Sequence, residues 1–466
     1  MKLVWFRNDL RTGDHSALYS ACHNNRGEGV LAVAAITPEQ WLMQDESKSR
    51  VQFWLANLKS LQEQLNTLNI PLKLIYAASN NELPEKFLEL VRRFKVSELH
   101  YNREYPEYEQ VRDQKVWRLL KHNGVSCYHY DCDVVLPAGS VLNQKGEPYK
   151  VFTPFSRAWR NQYLQQVPEA LPVPKKQPTL RVESDQIPET IPYQQKAADW
   201  QQYLWPAGEE QATSRLLKFV AKQFPEYKEQ RDLPGLSGTS SLSPYLSVGV
   251  ISTRQCLQAI NSYSQDPDWF GSQWVTELIW REFYRHLLVL FPEMNRWQPF
   301  KPEVEEKISW QYRDDLFDAW CKGETGFAIV DAGMKQLNET GWMHNRVRMI
   351  TASFLTKLLR HDWRLGARYF MQNLIDGDFA SNLGGWQWSA SVGADAAPYF
   401  RIFNPMRQAE RFDANGQYTS LWVPELSGLN AVKQHDPLIA QEKGRPPPVI
   451  DYAVAREMSI SSFNNG

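Results

Sequence analysis

Glu277, Trp280 and Arg281 stand at i, i+3 and i+4, so a helix would put an acid, a large aromatic and a guanidinium on one face, with Trp274 one turn earlier. Asn345 and Met349 are likewise one turn apart, and Arg346 lies beside that face. Asp376 and Asp378 straddle Gly377, and Asp378 and Asn382 are again i, i+4. Trp386 and Trp388 are i, i+2, roughly 200° apart on a helix, so they face opposite ways. Each pair has a plain explanation: an ion pair within an amphipathic helix, a core methionine, an Asx turn, core tryptophans. Together they suit a planar, redox-active, phosphate-bearing cofactor and an aromatic substrate. An asparagine presents donor and acceptor at once and can read the polar edge of such a ring.

The loop GTSSLSPYLSVG, Gly238–Gly249, follows Tyr227 and Arg231. Thr239, Ser240 and Ser241 supply hydroxyls and amides ahead of a helix with Pro244 in its first turn. Helix N-termini bind anions through unpaired N–H groups. An ordinary N-cap would explain the segment taken alone.

These stretches, GSQWVTELIWREFYRHL, GWMHNRVRMITASFL and LIDGDFASNLGGWQWSASVGADAAPYFRIFNP, resemble the flavin domain of the photolyase/cryptochrome family, and the opening MKLVWFRNDLR resembles its first strand and loop. The resemblance runs from about Met1 to about Pro424. It implies FAD, active as FADH⁻, held by Tyr227, Thr239, Ser240, Ser241, Leu242, Ser243, Trp274, Arg281, Asp376, Gly377, Asp378 and Asn382. Ser241 stands where the family often has a basic residue. Asn382 matches the residue facing the flavin N5, an asparagine in photolyases. Glu277, Trp280, Asn345, Met349 and Trp388 are implied at the lesion, with Trp280 and Trp388 stacking on the damaged bases and Glu277 bonding to the dimer. Met349, where members acting on the (6–4) lesion carry histidine, implies cyclobutane pyrimidine dimers. Trp310, Trp363 and Trp386 are implied as an electron-transfer chain, and Arg231, Arg346, Arg401 and Gln408 as contacts to the DNA backbone. Glu109 is implied as the antenna residue, for 5,10-methenyltetrahydrofolate. Tyr108 and Arg296 depart from the folate-binding pattern and keep a deazaflavin as the alternative. The activity implied is light-driven repair of cyclobutane pyrimidine dimers flipped out of DNA. A cryptochrome-type photoreceptor without repair is the rival, and a flavin-dependent oxidoreductase a third reading.

Composition agrees with an aromatic-rich redox site. Eleven of the 18 tryptophans lie between Trp269 and Trp422, although cores are built first from Leu, Ile and Val. Net charge is −1, so DNA affinity needs a local basic patch and not a global field. The five cysteines form no CxxC pair and the nine histidines no HExxH, which excludes a disulfide scaffold and gives no zinc signature. No apolar run approaches the roughly 18 residues of a membrane span, and the chain opens on a strand-like KLVWF with no signal peptide. A cytoplasmic monomer is expected.

The elements that must position these residues fall into two classes. Apolar runs at 2–6, 29–36, 71–77 and 98–102 alternate with helical patterns at 49–65, 83–94 and 108–124. That alternation predicts a doubly wound parallel sheet, Rossmann-like but without a GxGxxG fingerprint. From 207 onward the pattern is helical. The predicted fold is therefore α/β plus all-α: an antenna domain at 1–130, a linker at 131–206 that is Pro-rich from about Val167, and a helical FAD- and DNA-binding domain at 207–466. The tail after about Gln434 is expected to fray.

Overall fold

In the computed structural model, residues 1–23, 27–191 and 199–464 are described. Five strands, β1 (Lys2–Phe6), β2 (Val30–Ile36), β3 (Leu72–Tyr76), β4 (Glu98–Asn102) and β5 (Ser126–Tyr130), form a sheet of order β3-β2-β1-β4-β5. All pairings are parallel; Lys2 sits between Val30 and Glu98. Every residue of β1 is buried, as a strand covered by helices on both faces requires. Leu3, Trp5, Leu31, Val33 and Leu99 pack with Phe87 and Val91 of α2 (Leu83–Phe94) and Val116 and Leu120 of α3 (Glu107–His122). A further helix, α1 (Lys48–Thr67), starts at Ser47, whose hydroxyl accepts from the Arg50 amide. The four strands and three helices predicted for this region are present within two residues of their expected ends. β5 was not predicted, because SCYHY is a mostly polar edge strand with no apolar run to mark it.

The 131–206 segment carries structure of its own. Phe152, Phe155, Trp159 and Tyr163 form the buried stripe of α4 (Phe152–Gln165). Beyond it, the Pro-rich stretch exchanges backbone hydrogen bonds with the sheet unit: Asp14 donates to Leu171, Gln177 to Leu68 and Asp185 to Leu72.

By contact the chain forms two compact units, Met1–Lys222 with Ser240–Pro292, and Gln223–Thr239 with everything from Glu293 onward. Long-range polar ties explain why residues 240–292 group with the sheet. Arg254 pairs with the fully buried Asp14 at 3.0 Å, and Arg11 donates to the Gly249 carbonyl at 2.8 Å. Gly249 has φ +66°, and a Cβ there would lie 2.0 Å from the Asn8 carbonyl oxygen, so only glycine fits this approach.

The second unit is helical. The tail is a correction to the sequence reading: it forms helices Pro437–Glu442 and Tyr452–Asn464, and between them Arg445 pairs with the buried Asp331 at 2.8 Å. A polar, Pro-containing stretch can be ordered by one buried ion pair that local composition does not reveal. Among the described residues no helix is long and apolar enough to cross a membrane, and no cluster of His, Cys, Asp and Glu could hold a metal ion.

Candidate functional site

In the sheet unit, the ends of β1, β2 and β4 open onto a small cavity of about 60 Å³. It lies where the strand order reverses beside β1, the place where open α/β sheets bind ligands. Its wall includes Arg7, Asn8, Gln44, Glu104, Glu109 and Arg112. Arg7 and Arg112 both lie over the Trp5 ring, at 4.5 and 4.8 Å, and pair with Asp113 and Glu104. Glu109 is different. One carboxylate oxygen accepts from Gln44 Nε2 at 2.6 Å, and the other is buried without a partner. Burial pushes the Glu109 carboxyl up to about 7, with Arg112 opposing the shift. An orphaned acceptor in a cavity fits the N–H edge of a flat heterocycle. The sequence pointed to Glu109 but missed Arg112, one turn along the same helix, and Gln44 and Arg7, which are brought to it from other elements.

The raised value has a consequence for stability. A carboxyl whose folded value lies above its ordinary one, near 4.5, favours the fold while protonated. That contribution is present below about 4.5 and is lost as pH rises through about 7. Glu109→Gln should therefore flatten the fall in stability between pH 5 and pH 8, by about 1–3 kcal/mol at one pKa unit per 1.36 kcal/mol. Urea unfolding of both proteins at the two pH values measures it; parallel pH dependences would show that Glu109 does not titrate in this range.

The helix α5 (Ser243–Ser247) follows the hydroxyl loop and has Pro244 in its first turn, as expected. Ser241 adopts a left-handed φ of +49°, and Leu242 rather than a hydroxyl residue is the N-cap. The helix α6 (Gln273–Leu290) is capped by Ser272. Gln273 donates to Glu277 at 2.7 Å, while Arg281 binds the Asp133 carboxylate, the Asp133 carbonyl and the Leu246 carbonyl. Arg281 thereby braces the C-terminal end of α5. Trp274 is buried against Phe219 at 5.1 Å. Trp280 is half-buried, with one face stacked on Phe152 at 3.7 Å and 6°. Glu282, which no motif marked, accepts from the amides of Val135 and Leu136 and from Trp159 Nε1. It fastens residues 133–136 to α6, and burial raises its carboxyl to about 7.

In the helical unit, His344 caps α7 (Asn345–Ser353) by accepting from the Arg346 amide, and burial holds its ring down at about 4. Asn345 is exposed and Met349 half-buried on that helix. Arg346 lies over Phe412 at 4.3 Å and pairs with Asp232 at 2.8 Å; Arg231 approaches the same carboxylate at 3.5 Å. Arg348, not singled out by the sequence, forks onto the buried Asp376 at 2.8 and 3.0 Å. Asp378 caps α9 (Phe379–Ala390) by accepting from Ser381. Asn382 donates to the Ala367 carbonyl at 2.9 Å, which sets the amide orientation and leaves its oxygen as an acceptor. Trp386 is 2% exposed and Trp388 half-buried, so the two do face opposite ways. Gly366 on α8 (Trp363–Asn373) lets the Trp386 ring close in; a Cβ there would meet it at 2.2 Å. Trp363 is fully buried with its N–H on Glu305, and Trp310 is half-buried. Arg401 is exposed, next to the exposed Tyr399 and Phe400 in sequence, and Gln408 is half-buried.

Two family models match. One described as DNA photolyase covers residues 2–175, and one described as the FAD binding domain of DNA photolyase covers residues 274–465. The chain belongs to the DNA photolyase family. Two curated relatives, each called deoxyribodipyrimidine photo-lyase, are similar over the full length: that of Salmonella typhimurium is 43% identical and that of Escherichia coli 41%, each over 99% of this chain and 98% of the relative. Among solved structures, a bacterial class III photolyase from Agrobacterium tumefaciens superposes with a TM-score of 0.86 at 31% identity, over 100% of this chain and 97% of that one. A Synechocystis cryptochrome gives a TM-score of 0.87 at 26% identity, over 99% and 98%. The fold alone thus does not separate photolyase from cryptochrome. The full-length identity places the chain with the photolyase enzymes, and its helical part is a photolyase FAD-binding domain.

Proposed function

We propose that this photolyase repairs cyclobutane pyrimidine dimers in DNA under light, acting as a cytoplasmic monomer on a dimer flipped out of the duplex. The observation that carries this reading is the full-length likeness to photo-lyases, with Asn382, Met349 and Trp388 standing at the positions that separate repair enzymes from photoreceptors. Illuminating the purified protein with dimer-containing DNA tests it. Loss of dimers in light and not in darkness is expected; intact dimers with normal flavin photochemistry would favour a photoreceptor.

In this reading Tyr227, the Thr239–Ser243 loop, Trp274, Arg281, Asp376, Gly377, Asp378 and Asn382 hold FAD. Reduced FAD, when bound, supplies the electron that splits the dimer, and the protein supplies position and electrostatics. The Asn382 geometry fits that group: with its NH₂ donating to Ala367, its oxygen is placed to accept from a donor such as the N5–H of a reduced flavin. Trp280, backed by Phe152, and Trp388 stack on the two bases. Glu277, which accepts from Gln273, bonds to the dimer, with Asn345 and Met349 on the pocket floor. Flipping exposes the lesion to these groups, as enzymes acting on bases require. Arg231 and Arg346, spaced by Asp232, and Arg401 and Gln408 contact the backbone. Glu109 binds a second, light-gathering chromophore, a methenyltetrahydrofolate or a deazaflavin, in the sheet-unit cavity.

Trp386, Trp363 and Trp310 pass electrons inward to reduce the oxidised flavin. Trp310→Phe should slow photoreduction by external donors, because phenylalanine is far harder to oxidise, while repair by pre-reduced protein persists. Photoreduction at the wild-type rate would remove Trp310 from the chain.

A further inference from the structure

Trp363 is fully buried, and its indole N–H is bound to a carboxylate: Glu305 Oε1 accepts it at 2.8 Å. Trp320, equally buried, donates to the Thr351 carbonyl at 3.1 Å, so an uncharged acceptor is enough to satisfy such a group. Arg364 forks onto Glu305 at 2.9 and 2.8 Å, reaches Asp362 at 3.1 Å, and stands over the Trp363 ring at 4.6 Å. The buried ring is thus set between a carboxylate on its N–H edge and a guanidinium over its face. Fastening the short helix Pro302–Glu305 to α8 accounts for the Glu305–Arg364 fork. It does not require that the same carboxylate also take up the indole N–H.

We propose that Glu305 tunes the tryptophan chain: its carboxylate stabilises the positive charge left on Trp363 and so draws that charge outward from Trp386. The proposal rests on the reading of Trp386, Trp363 and Trp310 as an electron-transfer chain. Trp386 gives one electron to light-excited oxidised flavin and is refilled by one electron from Trp363. Trp363 is then a cation radical whose N–H is already bonded to the Glu305 oxygen. Opposite charges attract strongly in an interior of low dielectric. The proton stays on the indole nitrogen, because the Arg364 fork occupies both Glu305 oxygens and weakens them as bases. No proton moves, so the charge remains free to pass outward as one electron arrives from Trp310. An external thiolate returns one electron to Trp310. Glu305 acts throughout as a positioning residue, through Trp363.

The test is flash excitation of the holoenzyme with oxidised flavin, in a Trp310→Phe background that holds the charge on Trp363. Transient absorption follows the tryptophan radical, whose return to Trp386 is the uphill step. Glu305→Gln keeps an acceptor for the indole N–H and removes the charge, so the radical should decay at least ten-fold faster. Ten-fold is about 1.4 kcal/mol, less than the attraction of two unit charges a few ångströms apart at a protein's effective dielectric. Arg364→Gln keeps the carboxylate and removes the guanidinium over the ring, so the decay should slow. Both variants break the same ion pair, and urea unfolding should show a similar loss of stability in each. Opposite kinetic signs from equal structural damage identify the charge as the cause. Decay that changes in the same direction in both variants, or not at all in Glu305→Gln, overturns the proposal. So does the absorption of a deprotonated, neutral radical in the protein that keeps Glu305 and Arg364, because the carboxylate would then have taken the proton. Trp363→Phe separates this from the chain itself. A radical that stops at Trp386 in that variant, with no effect of Glu305→Gln, rejects Glu305 alone. A radical that still travels beyond Trp386 removes Trp363 as the carrier and the role of Glu305 with it.

Discussion

Replacing Arg254 with methionine should destabilise the protein by about 3–5 kcal/mol, the usual consequence of removing one partner from a buried ion pair. Asp14 is 0% exposed and accepts from Arg254 at 3.0 Å, from the Ser252 hydroxyl and from the Leu171 amide. Without the guanidinium its carboxylate would remain in a low-dielectric site with no countercharge touching it. Arg254 also donates to the Val134 carbonyl at 2.9 Å, so the variant frees an acceptor as well. The urea midpoint reads the loss. Asp14→Asn combined with Arg254→Met should recover part of it, because a neutral amide tolerates burial better than an unpaired charge. A single-variant loss below about 1 kcal/mol, the range of exposed pairs, would show that this network carries no net charge interaction.

Trp280→Ala should weaken binding to dimer-containing DNA by roughly five- to 150-fold. Base–aromatic stacking is worth about 1–3 kcal/mol per base, at about 1.4 kcal/mol per decade. Phe152 stacks on one face of the Trp280 ring at 3.7 Å. Phe152→Leu should therefore weaken lesion binding in the same direction but less, by loosening the ring that stacks. Affinity for undamaged duplex should hold, since it rests on phosphate contacts. FAD content should hold too, because Trp280 packs on other aromatic rings and is not among the residues proposed to hold the flavin. Equal losses for damaged and undamaged DNA, or loss of flavin, would make Trp280 a packing or cofactor residue and not the lesion reader.

Legibility from sequence followed the range of each interaction. Strands β1 to β4 and their helices were readable because burial on both faces writes a continuous apolar run, and amphipathic burial writes a 3.6-residue period. The opposed directions of Trp386 and Trp388 followed from helix geometry alone. Local spacing did not show distant partners. Glu277 and Arg281 share a helix face, and Arg281 reaches Asp133, 148 residues away, because that carboxylate and two carbonyls together satisfy its fork.

The sequence by itself determined the fold class, the motif residues and, through their resemblance, the family. These are properties of residue type at short spacing. Only the tertiary structure decided that Glu109 keeps an orphaned oxygen in a cavity, that Phe152 backs Trp280, and that the Trp363 N–H meets Glu305. Each of these depends on side chains from separate elements meeting at 3.7 Å or less. No local pattern encodes such meetings, because helix and strand periodicity specify which face a residue occupies and not what will be packed against it.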